Sequence, residues 1–248
     1  MAEAEMVTTS ARLMAHVDCN KVTRGELEVI PTPMGTATFK PVSHIELVTS
    51  LQAILDSKGI SIVKEQFAVR AHGSRLFGTF DLSLEGVNGS CASLGFRTAN
   101  DRTMKISIVA GMSVFVCDNM VLSGDSVILN RKHTSGLDLL PELMGAVGRY
   151  QERYASLREQ VASLADLTLT NESAKALIHD AFVREIMPIR YLPNVSKEYF
   201  NPSHAEFQPG NAWSLHNAFT FVMKEMTLNR RMEATQGLGE LFGLLQAA

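Results

Sequence analysis

From Ser43 onward the apolar positions recur first at helical spacing and then at strand spacing. Val48, Leu51 and Leu55 step by three or four residues with Leu47 and Ile54 beside them, which predicts a helix. Ser43 and Glu46 form a capping-box pattern at its start, and Gly59 supplies a left-handed stop. After Ile60 the period becomes two. Val63, Phe67 and Val69 mark one strand, and residues 71–74 read as a turn. The return strand puts Leu76, Gly78, Phe80, Leu82 and Leu84 on one face and Thr79, Asp81, Ser83 and Glu85 on the other. That alternation predicts an antiparallel hairpin with one wet face. Asn88-Gly89 suits a tight turn, and further strands are expected over 91–97, 104–109, 113–117 and 126–132.

The second half is helical. Leu139, Leu143, Val147, Tyr150, Tyr154, Leu157, Val161 and Leu164 predict one long amphipathic helix over 137–166. A second helix is expected from Thr170 to Met187, where Pro188 ends it. Pro188, Pro193, Pro202 and Pro209 then predict a long irregular loop over 188–211. A third helix, about Trp213 to Met226, and a short tail over 238–245 follow. The expected class is α+β. It comprises an N-terminal arm (1–42), a core with antiparallel sheet and long helix (43–166) and a helical C-terminal region (167–248).

Composition narrows the function classes. The chain has 248 residues, of which 46% are apolar, enough to bury a large core. A net charge of −3 excludes an overall basic field, so any polyanion site must be local. Cys19, Cys91 and Cys117 form no C-x-x-C pair, and free thiols fit the reducing cytoplasm of a bacterial host. The first ten residues carry Glu3 and Glu5 and lack a secretory pattern, and no apolar run is long enough for a membrane span.

Catalytic signatures are missing: there is no P-loop, no G-x-S-x-G and no H-E-x-x-H, and the seven histidines are scattered singly. No enzyme, metal or cofactor is therefore expected. The densest polar cluster runs from Phe96 to Arg102, and strand ends would gather Arg97, Arg102, Lys105, Arg131, Lys132 and His133 on one rim. Such a rim can neutralise phosphates. The plainer reading is that Asn100, Asp101 and Asn119 satisfy turn backbone. A third reading makes Cys117 a hydrolase nucleophile with His133 as base and Asp118 or Asp101 orienting it. Trp213 is expected as a core anchor, with base stacking as the alternative. Arg230 and Arg231 are read as closing a helix, where cations suit the dipole.

Three stretches together resemble one family: Gly95 to Lys105, Val114 to Met120 continuing to Arg131-Lys132-His133-Thr134, and Asn211 to Thr220 with Leu228-Asn229-Arg230-Arg231 after it. Their order is similar to that of the phage- and plasmid-encoded proteins catalogued as a domain of unknown function. The resemblance implies a setting of mobile-element DNA. The element order also resembles the core of single-strand annealing recombinases, which implies an oligomer holding single-stranded DNA. The expected function is thus non-enzymatic DNA association, with single-stranded DNA and further copies of the chain as partners. The alternative from another class is a module that binds a host defence or replication protein.

Overall fold

The computed structural model describes residues 19–86, 90–114, 119–121, 127–226 and 228–246. Among these it is α+β, with a seven-stranded antiparallel sheet. The strands are β1 (Asn20–Val22), β2 (Ile62–Arg70), β3 (Arg75–Leu82), β4 (Ser90–Ala99), β5 (Ile106–Val114), β6 (Asn119–Val121) and β7 (Val127–Arg131). They pair in chain order from β1 to β6, and β7 lies beside β6 along the same side of β5. The helices are α1 (Arg24–Glu28), α2 (His44–Ser57), α3 (Leu139–Asp166), α4 (Asn171–Val183), α5 (Leu192–Phe200), α6 (Ala212–Met223) and α7 (Leu228–Gln246).

The first hairpin and β4 fold as expected, whereas the strands expected separately over 104–109 and 113–117 run as one strand, β5, as far as Val114; register aligns their apolar positions. Phe67, Leu76, Phe80, Leu94, Phe96, Ile106, Ile108 and Met112 join the buried stripes of α2 and α3 in one core. Burying a side chain of this kind contributes about 1.5–3 kcal/mol. Gly78 faces Phe96 across the strand pair, and a Cβ there would come within 2.2 Å of the ring. Phe80 packs edge-on to the same ring, with centroids 5.0 Å apart. The opposite face departs from the expectation of a wet side. Ser83 and Glu85 are exposed, but Thr79 and Asp81 are buried. Alternation reported which side chains share a face; it could not report that β3 and β4 lie inside a wide sheet.

Helix α2 stops at Gly59, whose φ is +71°, as the sequence implied. Its start differs: Ser43 makes no side-chain capping bond, so the expected capping box is absent. Helix α4 ends at Val183, earlier than expected, because Glu185 takes a left-handed φ of 56° before Pro188 is reached. The expected irregular loop contains α5, with Pro193 in its first turn, a position proline tolerates because that N–H needs no partner. Helix α7 is longer than the expected tail, and Arg230 opens it and pairs with Glu233 at 2.9 Å. The reading of this arginine as a helix-closing cation is corrected.

Candidate nucleic-acid interface

Topology fixes which groups meet. Helix α2 leaves from the sheet end that carries the β2–β3 turn: His44 Nε2 hydrogen-bonds the Gly73 carbonyl at 2.7 Å. Helix α3 leaves from the same end, because β7 finishes there and Arg131 pairs with Glu142 in the first turns of α3. Both helices run toward the far end, where the Tyr154 hydroxyl donates to the Glu85 carbonyl. One end of the sheet thus receives the N-termini of two helices of 14 and 28 residues. Neither Ser43 nor Asp138 caps its helix through the side chain, so the first amide N–H groups keep their positive partial charge.

The antiparallel register brings basic residues to this same end. Arg70 pairs with Arg75, and Arg75 with Ala99. Arg97 pairs with Ser107, Ser107 with Asn130, and Ile106 with Arg131. Lys105 precedes β5, Arg102 sits in the β4–β5 turn, and Lys132 and His133 follow β7. The six residues expected on one rim are therefore brought to one end. Lys40, Arg70, Arg75, Arg97, Arg102, Lys105, Arg131 and Lys132 there outnumber the acids Glu46, Asp101, Asp138 and Glu142.

Their chemistry is not uniform. Lys105 and Lys132 are exposed. Arg102 is exposed with its guanidinium 4.7 Å from the Phe39 ring centroid. Arg97 is half-buried, and burial lowers its pKa from the usual arginine value, which still leaves it charged at neutral pH. Arg131 is tied to Glu142 at 2.7 Å, and that hydrogen bond raises its pKa.

His133 does not belong with the exposed cations. It is 5% exposed. Its Nδ1–H donates to the Lys40 carbonyl at 3.2 Å, so Nε2 accepts from the Thr98 hydroxyl at 2.9 Å. Burial lowers its pKa, which keeps it neutral. Among the described residues Nε2 therefore meets the Thr98 hydroxyl and not a thiol. Cys117 and Asp118 lie outside the described residues.

The polar turn residues hold the frame. Asn100 clasps the Val42 backbone from both sides, donating to its carbonyl at 2.9 Å and accepting from its N–H at 3.1 Å. Burial would raise the Asp101 pKa, but hydrogen bonds from Thr103 and Arg75 outweigh it and bring it to about 2. Asp101 thereby links the β4–β5 turn to Arg75 at the head of β3. Sequence reasoning missed Lys40, Arg70 and Arg75. The hairpin offered a signal for two of them, because residues flanking a four-residue turn must face each other. Lys40, whose Nζ donates to the Leu137 carbonyl at 2.7 Å, had no local signal.

Trp213 is 4% exposed and stacks on His216, with ring centroids 5.8 Å apart, so it is a core residue and not a base-stacking platform. Among the described residues no group of histidine, cysteine and carboxylate side chains can hold a metal ion. No helix among them is long and apolar enough to cross a membrane. One family of proteins, described as a domain of unknown function (DUF932), matches residues 34–238. No curated protein and no solved structure matches the chain.

Proposed function

The chain belongs to the DUF932 family, and we propose that it is a non-enzymatic, DNA-associated protein of a phage or plasmid that binds single-stranded DNA at the basic end of its sheet. The observation that carries this reading is the convergence of basic strand ends with the N-termini of α2 and α3. A local positive field of this kind attracts a phosphate backbone despite a net charge of −3. Half-exposed Leu140 and Met144, one turn apart on α3, support association between copies and hence an oligomer that presents several such ends. Annealing of complementary strands is the activity such an assembly would serve.

The test is binding of a labelled oligonucleotide across a salt series, with light scattering on the same sample. Binding that weakens with salt, and weakens further in a variant carrying Arg97→Ala, Arg102→Ala and Lys132→Ala, supports the reading. No binding at low salt sinks it. The second reading is capture of a host protein, favoured by exposed Phe182, Val183 and Ile189 at the end of α4 and in the turn after it. A partner retained from host lysate after nuclease treatment, and lost on Val183→Asp, would decide for it.

A further inference from the structure

We infer that Phe39 and His133 are positioning residues that hold the Arg102 guanidinium ready for a phosphate. This rests on the proposed function and assigns a role to two side chains that themselves touch no ligand. Arg102 is exposed at a turn, where a long side chain would ordinarily sample many rotamers. Here it lies 4.7 Å from the Phe39 ring centroid. On that ring it keeps its planar fork of donors in one orientation. Phe39 is 8% exposed and in turn rests on the His133 ring, with centroids 5.6 Å apart and planes inclined at 38°.

His133 is fixed by two partners on different segments, the Thr98 hydroxyl on β4 and the Lys40 carbonyl. Its own carbonyl accepts from the Lys40 N–H at 3.1 Å. The order Arg102, Phe39, His133 therefore runs from solvent to a buried anchor, and each member is held by the one after it. The backbone at Arg102 adds an independent point. Its φ is +65°, a left-handed conformation that glycine or asparagine adopts with less strain. A strained backbone that aims a cation outward over a ring fits a preset contact, because a side chain already ordered loses less freedom on binding.

The experiment measures oligothymidylate affinity by fluorescence anisotropy, from low to moderate salt, together with the thermal midpoint of each variant. On single strands one phosphate contact contributes a salt slope of about 0.7, or about fivefold in affinity at 0.1 M salt. Arg102→Ala is expected to remove that contribution. Phe39→Leu should lower affinity by part of that amount while leaving the slope unchanged, and the double variant should be no weaker than Arg102→Ala alone. Phe39→Leu combined with Lys132→Ala should instead multiply the two losses, and Phe39→Trp should restore binding. Arg102→Lys is a surface change that keeps the charge and loses the planar fork, and it should bind more weakly than wild type.

Unchanged affinity in a folded Phe39→Leu, or wild-type affinity in Arg102→Lys, would overturn the positioning role while leaving the DNA reading intact. Wild-type protein that ignores oligothymidylate at low salt would instead remove the DNA reading, and this role with it.

Discussion

The two ends of the sheet both carry arginines, but the partners those arginines meet differ. At the far end Arg24 is held by Glu65, and Arg158 reaches Glu85 at 3.5 Å. Both of these arginines meet a carboxylate, and exposed pairs of this kind contribute about 0–1 kcal/mol. At the near end Asp101 takes Arg75 and Glu142 takes Arg131, while Lys105 and Lys132 stay exposed and Arg102 rests on an aromatic ring. The near end also receives both long helix N-termini of the sheet layer, and the far end receives the α2 C-terminus at Ser57. Similar residue types thus sit beside two helix N-termini at one end and beside a helix C-terminus at the other. The difference lies in where chain reversals put carboxylates and helix dipoles.

Acid should weaken the near end and the α6 core alike. His44 and His133 at the near end, and His216 within α6, are buried, and burial lowers each pKa, that of His216 to about 4. An unfolded histidine takes its proton near 6.5, but folded His216 takes one only near 4, so stability is full above the first value and falls as pH drops through that window. The loss from His216 alone should reach about 3 kcal/mol at the lower limit. Denaturant unfolding at pH 7 and pH 4.5 should show it, and His216→Leu should flatten the difference.

Next in size is the triple variant Arg97→Ala, Arg102→Ala, Lys132→Ala. Three phosphate contacts at about fivefold each predict a loss of about a hundredfold in oligonucleotide affinity at 0.1 M salt. The matching far-end variant, Arg24→Ala with Arg158→Ala, should leave affinity unchanged. Gly78→Ala strikes the strand pair between the two ends, where the added methyl meets the Phe96 ring. It should cost about 1–3 kcal/mol in unfolding free energy through overpacking, with no change in affinity per folded molecule. Asp101→Asn is the smallest change. Loss of the Arg75 and Thr103 bonds should cost about 1 kcal/mol, while removal of a negative charge tightens DNA binding slightly.

The first hairpin and α3 were legible because their core positions repeat without interruption, and Leu76, Phe80 and Leu82 share one buried face as expected. Helix α5 was not, since Pro193 reads as a breaker unless its place in a first helical turn is known. Helix α7 was hidden by Gly237, Gly239 and Gly243, residues that signal loops when packing partners are invisible. Basic residues near strand ends were legible as a group, but their roles were not. Nothing local distinguishes Lys132, which stays exposed, from His133, one residue on, which turns inward to Thr98 and Lys40. Lys40 and Phe39 come from a segment about fifty residues before β4 and meet Arg102 and His133 only through the fold.

The most direct test of the account is the salt dependence of oligothymidylate binding by the wild-type chain and by the two sets of end variants. The account predicts affinity that falls steadily with salt, a shallower slope when near-end cations are removed, and no change when Arg24 and Arg158 are removed. Equal loss from both ends, or no binding by wild type at low salt, would contradict it.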